Sequence, residues 1–442
     1  MKPFQLPPHL LMGSATSGAQ IEGGDTNSNW YAWCEQGRIR DQTSCLRAND
    51  HWNRYSEDIE LMTELNHRVY RMGVEWSRLE PIEGQFSKEA IKHYRKEISL
   101  MLEKGIKPLV TLHHFSHPIW LENQAGFEHP RVLSQFLRYV RFVVENLGDL
   151  VSEYITINEP NVYAVQGYYF GTWPPAKKNL RLVLKVMKHM ALCHISAYRL
   201  IHEIRKEKGW PGQTMVGVAN HLRVFDAYNK NNPLDRLAAG AMDYLFQNAL
   251  TRTMADGILR PPFGVGAPLG KGRFMDFFGL NYYTRDGVRF KGFQNLVMPN
   301  TPRNDLGWEI YPKGLYRLCK LCYERYRVPV WITENGTCDE EDRFRSRYIY
   351  DHLLEISKLC SDGIPVERYY HWSLMDNFEW AEGESARFGL IHVDYDTQKR
   401  TIRPSGRFYG EICRNLEVTE EMIQTYLLGT ISSQYPSGSS IK

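Results

Sequence analysis

The chain has 442 residues, 43% hydrophobic and 24% charged, with a formal charge of +3. That balance excludes a disordered chain, and its scattered basic residues exclude a tract that would follow a nucleic-acid backbone. No stretch reaches membrane-spanning length. The N-terminal MKPFQLPPHLLMGSAT is too short in its apolar run and too rich in proline for a secretion signal, so the expectation is a soluble cytoplasmic protein with no membrane or nucleic-acid partner.

Short apolar or β-branched runs alternate with longer amphipathic stretches along the whole chain. HLLMGSAT (9–16) is the first predicted strand, followed by Gln20. The helical pattern YSEDIELMTELN leads to RVYRMGVEW (68–76), and KEAIKHYRKEISLMLEKG leads to KPLVTLHHF (107–115), which carries His113 and His114 at its end. LSQFLRYVRFVVENLGD precedes EYITINEP (153–160), ending in Asn158 and Glu159. MVGVANHL (215–222) follows, then DFFGLNYY (276–283) with Asn281, Tyr282 and Tyr283 at its end. PVWITENG (329–336) brings Glu334, and VERYYHWSLMD (366–376) brings Trp372. Helix-sized connectors require parallel pairing with right-handed crossovers. Eight such units without a Pro/Ser/Gly linker predict one (β/α)8 TIM barrel domain over residues 1–442, not two doubly wound domains. The active site of such a barrel lies at the strand C-termini, where polar and aromatic residues gather in this sequence.

The eight cysteines are thinly spread and are expected to be free thiols. Cys319 and Cys322 form a C-x-x-C inside GLYRLCKLCYERY, a helical pattern with no second cysteine pair to complete a zinc site, so both read as packed thiols. No His/Cys/Asp cluster suggests a metal, and no organic cofactor is expected.

A carboxylate is costly at the end of an apolar strand, which makes Glu159 in YITINEP and Glu334 in VWITENG the residues most in need of a reason. Either alone could cap a helix or pair with a buried arginine. Together, at the fourth and seventh strand ends, they face each other across a barrel mouth. Paired carboxylates across a pocket are the machinery of glycoside hydrolysis, one protonating the leaving oxygen while the other attacks or activates water. In such a pair, the carboxyl facing an ionised partner is expected to have a raised pKa, as a proton donor needs.

TINEP and ITENG, in that order and at that spacing, resemble the two signature segments of glycoside hydrolase family 1. GSATSGAQIEG, DHWNRYSEDIELM, VEWSRLEP, LNYYT, FEWAEG and RFGLIHVDYDTQKRTIRPSG extend the resemblance over nearly the whole chain. It implies a retaining β-glycosidase of β-glucosidase type, with Glu159 as acid/base and Glu334 as nucleophile. Tyr283 is then the hydrogen-bond donor to Glu334 and Arg71 its nearby positive charge. Gln20, His114, Asn158, Asn281, Glu379 and Trp380 hold the nonreducing sugar, with Trp372 as its apolar floor. The implied substrate is a small-molecule or oligosaccharide β-glycoside, and the oligomeric state stays open.

Glu379 speaks against a 6-phosphorylated sugar, which a carboxylate would repel, and AEGESARFG lacks the Ser and Lys arrangement of the family's 6-phospho-glycosidases. Transglycosylation uses the same residues and remains a second reading; a non-catalytic glycan-binding barrel is a third. In TLHHFSHP, His113, Phe115 and Ser116 replace the family's usual Tyr, Trp and Asp. Loss of an indole N–H at position 115 removes a possible donor to the sugar's 3-hydroxyl, which leaves the choice among glucosyl, galactosyl and fucosyl groups open.

Overall fold

The computed structural model describes residues 1–428 and 435. Eight parallel strands close into a barrel in sequence order: β1 (Leu11–Ala15), β2 (Val69–Gly73), β3 (Lys107–Thr111), β4 (Glu153–Asn158), β5 (Met215–His221), β6 (Phe278–Asn281), β7 (Val330–Asn335) and β8 (Val366–Trp372). β8 pairs back onto β1, with Trp372 opposite Ala15. Every expected strand is present, and helices surround the barrel. The strands are shorter than the apolar runs that announced them, and most of the overhanging residues lie beyond the strand C-termini.

Barrel strands are covered on both faces, by the interior layers and by the helices, so they read as continuous rather than alternating apolar runs. β4 and β7 are buried at every position for this reason. The helix Val132–Leu147 buries Val132, Phe136, Tyr139, Val140, Val143, Val144 and Leu147, one face of a 3.6-residue period. Each such side chain contributes about 1.5–3 kcal/mol when fully buried. Ser87 starts the helix Lys88–Glu103 by accepting the Ala90 N–H at 3.1 Å.

Two details of the barrel bear on the site. Register shifts fall between Ile332 and Glu334 where β7 meets β6, and between Ile155 and Asn158 where β4 meets β5. Such irregularities re-aim side chains, and here they coincide with the two strand ends that carry the glutamates. Just beyond, Gly336 lets the Trp372 carbonyl approach so closely that a Cβ would sit 1.8 Å from it.

Some elements carry no clear periodicity in the sequence. Val224–Ala227, Arg285–Arg289 and Gln294–Leu296 form a small three-stranded sheet beside the mouth, built from the segments after β5 and β6. Phe4–Gln5 pairs with Glu417–Val418, a segment far from it in sequence. All eight cysteines are free, and Cys319 and Cys322 are packed inside the helix Lys313–Tyr326. Among the described residues no helix is long and apolar enough to cross a membrane.

Candidate active site

β4 ends in a sharp turn: Glu159 adopts φ +40°, a left-handed conformation costly for a residue with a Cβ, and Pro160 begins the next helix. The Glu159 N–H donates to the Ala219 carbonyl of β5 at 2.8 Å, which holds the turn. Its carboxyl is turned inward. Oε1 accepts from Asn281 Nδ2 at 2.8 Å and from His221 Nδ1 at 3.1 Å.

At the end of β7, Glu334 receives a donor on each oxygen. Arg71 Nη1 donates to Oε1 at 2.5 Å, and the Tyr283 hydroxyl donates to Oε2 at 2.6 Å. Arg71 is fully buried, and a buried guanidinium is tolerated only when its donors are used. They are: Nε reaches Thr111 Oγ1 at 3.1 Å, Nη1 also reaches the Thr333 carbonyl at 3.2 Å, and Nη2 reaches Asn158 Oδ1 at 2.7 Å. Because Asn158 Oδ1 also accepts from Asn281 at 3.0 Å, the orientation of its amide is fixed. Asn158 Nδ2 is left buried without a protein partner among the described residues, and Asn158 lines the cavity.

That cavity has a volume of about 310 Å³ and is also lined by His114, Glu159, Tyr283, Glu334, Trp372, Glu379 and Trp380. The His114 ring lies 5.8 Å from both Trp372 and Trp380, and burial, with Arg71 nearby, holds it well below the usual histidine range, so it is neutral. Phe115 packs on Trp173 at 4.8 Å and Trp380 at 5.2 Å. Gln20, Arg71 and Asn281 stand behind this lining. Gln20 Nε2 donates to Asn377 Oδ1, the Phe378 carbonyl and Glu379 Oε2 at 2.8, 2.9 and 3.1 Å, so it orients Glu379. A second, more open cleft of about 520 Å³ runs past Asp25, Arg78 and His93. His93 at 3.7 Å and Arg78 at 4.0 Å cover the two faces of its Trp52 ring, leaving no platform there.

The loop bearing Glu379 and Trp380 is fastened to the loop after β1. Asp41 Oδ2 accepts the N–H groups of Glu384 and Ser385 at 2.7 and 3.0 Å. Gly383, at φ +71°, leaves room for that carboxylate, since a Cβ there would lie 1.9 Å from Asp41 Oδ1. Arg40 adds an N–H bond to the Ala381 carbonyl at 2.9 Å and an ion pair with Glu382 at 2.5 Å.

Burial is the first influence on both glutamates, and it acts to raise them. At Glu334 it prevails: with repulsion from Glu159, and against Arg71 and Tyr283, the carboxyl rises to about 7. At Glu159 the donors His221 and Asn281, with Arg71 beyond, outweigh burial and leave the carboxyl below its ordinary value. Repulsion between the two glutamates raises whichever carboxyl holds the shared proton; His221, at the end of β5, works against that rise at Glu159. The two titrate as one coupled pair. Glu379 rises to about 8, first through burial and then through Glu334, with Gln20 opposing.

His221 obeys the strand-end pattern at the close of MVGVANHL and could have been picked out by it. Trp173, Leu306 and Trp308, which complete the outer wall, lie in irregular segments with no periodicity to mark them.

A parallel barrel whose strand ends bring two buried carboxylates into one sugar-sized cavity, beside unpaired donors and indole faces, defines a glycoside hydrolase. The chain belongs to glycosyl hydrolase family 1, whose model matches residues 2–256 and 272–418. The β-glucosidase A of Thermotoga maritima is 31% identical over 443 residues, covering 93% of this chain and 98% of that protein. A β-galactosidase of Pyrococcus woesei is 30% identical, covering 96% of this chain and all of that protein. The structure of a β-glycosidase from Pyrococcus horikoshii superposes with a TM-score of 0.88 at 36% identity, covering 96% of this chain and 98% of the other.

Proposed function

We propose that this enzyme is a retaining β-glycosidase that releases terminal nonreducing β-D-glucosyl residues by double displacement and also accepts galactosyl and fucosyl groups. The observation that carries this reading is the unequal treatment of the two carboxyls. Glu334 is held from both oxygens, by Arg71 and Tyr283, as an aimed nucleophile needs to be. Glu159 is held through Oε1, with Oε2 left to face a leaving group.

In this mechanism Glu334 attacks the anomeric carbon while Glu159 protonates the departing glycosidic oxygen. The sugar is then esterified to Glu334, whose negative charge is gone. Glu159, now ionised, takes a proton from water as the water attacks the anomeric carbon, and Glu334 leaves with the original configuration restored. Asn158 Nδ2, which lacks a protein partner among the described residues, suits the 2-hydroxyl, where a bond that tightens in the transition state contributes most. His114, Glu379 held by Gln20, and Trp380 suit the remaining hydroxyls, over the face of Trp372. Both β-glucosidases and a β-galactosidase occur among the relatives, which supports tolerance at one hydroxyl.

A free sugar is favoured over a 6-phosphorylated one. Glu379 lies in the field of Glu334, Glu159 and Glu382, and Arg40, on the cavity lining, is already paired with Glu382. A phosphate dianion would enter a field of like charge. The test is hydrolysis of nitrophenyl β-glucoside, β-galactoside, β-fucoside and β-glucoside 6-phosphate, with the first-formed anomer read by NMR. The expected result is rapid release of β-glucose from the plain glucoside. A first product of α configuration would overturn the retaining mechanism, and preference for the phosphorylated substrate would overturn the free-sugar assignment. Transglycosylation would show as alkyl glycoside formed when an alcohol acceptor is added.

A pH prediction follows from the coupled pair. With a dinitrophenyl glucoside, whose leaving group needs no proton, only the nucleophile must be ionised, and its carboxyl is raised to about 7, so kcat/KM falls as pH drops through that region. Since Glu159 contributes to the rise, Glu159→Gln is expected to move this acid limb to lower pH, read with a dinitrophenyl glucoside that needs no proton donor. An acid limb that stays in place would show that the two charges do not interact.

A further inference from the structure

Asp286, Arg223 and His221 form a row that ends on Glu159. Arg223, just beyond β5, donates from Nε to His221 Nε2 at 2.9 Å, and its Nη1 donates to Asp286 at 3.1 Å. The backbone of Arg223 is clamped by Gln247, whose Oε1 accepts its N–H at 2.9 Å and whose Nε2 donates to its carbonyl at 3.0 Å. The His221 ring is itself fixed: its carbonyl accepts from Asn161 at 3.0 Å, Tyr283 lies parallel to it at 6.1 Å, and Phe246 meets it edge-on at 6.1 Å.

A guanidinium Nε–H can only donate, so His221 Nε2 must accept and carries no proton. The single ring proton then sits on Nδ1 and points at Glu159 Oε1. Asn281 Nδ2 donates to the same oxygen, so both lone pairs of Oε1 are engaged. Oε2 is the oxygen left to bear a proton. We propose that His221 and Arg223 form a positioning pair that fixes the exchangeable proton of Glu159 on Oε2, the oxygen facing the glycosidic bond. The inference rests on Glu159 being the acid/base, as argued above.

The arrangement also has a logic for the second half-reaction. Once Glu159 has given up its proton, an adjacent imidazole free to become cationic would pair with the carboxylate and weaken it as a base. Arg223 occupies the nitrogen that such protonation would need. The groups facing His221 are accounted for: Glu159 from β4, Asn281 and Tyr283 from the end of β6, Asp286 through Arg223, and Phe246 and Gln247 from the helical segment behind. The proton therefore shuttles between Oε2, the leaving oxygen and the incoming water, and never passes to His221.

The two members of the pair make opposite predictions, which a merely structural role would not. In His221→Leu the carboxylate loses a donor, so the acid limb for breakdown of the glycosyl-enzyme, where Glu334 is esterified and Glu159 alone titrates, moves up by about one pH unit. In Arg223→Met the freed Nε2 lets His221 become cationic, and that acid limb moves down. His221→Asn, which keeps a donor, should return the limb toward the wild-type position. Phenyl glucoside, whose leaving group needs the proton, should lose roughly 10–100-fold in kcat/KM in His221→Leu. Dinitrophenyl glucoside should lose only about threefold, on the same ground that it needs little protonation.

Limbs that do not move, or that move in the same direction in both variants, would overturn the inference, as would equal losses on the two substrates. Should His221→Leu fail to accumulate as folded protein, Arg223→Met and His221→Asn still carry the test. If Glu159→Gln itself shows no dependence on leaving group, the acid/base assignment has failed rather than the positioning role.

Discussion

Glu334→Ala is expected to abolish hydrolysis of nitrophenyl β-glucoside, with kcat lowered on the order of 10⁵–10⁶-fold, the scale seen when a covalent nucleophile is removed. The cavity it leaves is still served by Arg71 and Tyr283, both donors aimed at where its oxygens were. A small anion such as azide can enter there and attack the anomeric carbon directly. Its product should be the α-glycosyl azide, because one displacement replaces two. Appreciable activity in Glu334→Ala without an added nucleophile would remove Glu334 from the mechanism. So would azide rescue that gives the β-azide. Removing a carboxyl also leaves the buried Arg71 without its ion pair, so the variant should be less stable, by about 3–5 kcal/mol if the cavity stays dry. Its melting temperature should therefore be measured alongside activity, so that lost chemistry is not confused with lost fold.

Glu159→Ala should discriminate between substrates. Where the leaving oxygen needs a proton, as in cellobiose or phenyl glucoside, the loss is expected to be about 10²–10⁴-fold. With a dinitrophenyl leaving group the first step needs little help, and the glycosyl-enzyme should form and accumulate as an initial burst. Azide should speed its breakdown, since an anion needs no general base, and the product should be the β-azide. Opposite azide configurations from the two alanine variants would assign the two roles separately. A uniform loss across leaving groups would show that Glu159 positions the substrate and moves no proton.

The sequence made the barrel legible because each strand is a single apolar run between two amphipathic helices, and parallel pairing is the only option that helix-sized connectors allow. The site was legible to the same extent: Glu159, Asn158, Asn281, Tyr283 and Glu334 are strand-end residues, and closing the barrel gathers strand ends into one ring. Lateral relations could not be read. That His221 touches Glu159 depends on how β4 and β5 are offset at a register shift, and no linear pattern reports that offset. For this reason the donor that opposes burial at Glu159 was not legible in the sequence. Gln20 was legible as a residue at the mouth, but its place behind Glu379 depends on a loop 357 positions along the chain. The rim aromatics Trp173 and Trp308 and the small sheet beside the mouth lie in irregular segments, where neither period of 2 nor of 3.6 applies.

The fastening of Asp41 beneath Gly383 has a consequence for redesign. The segment that carries Glu379 and Trp380 on the cavity wall has no independent shape: its N–H groups at Glu384 and Ser385 are folded around a carboxylate from a different part of the chain. Transplanting residues 378–385 from a relative with another sugar preference would strand those donors and displace the two cavity-lining residues, whatever their identity. The transplantable unit is the pair of segments, 38–43 with 378–385, and specificity in this scaffold would be inherited by exchanging both together.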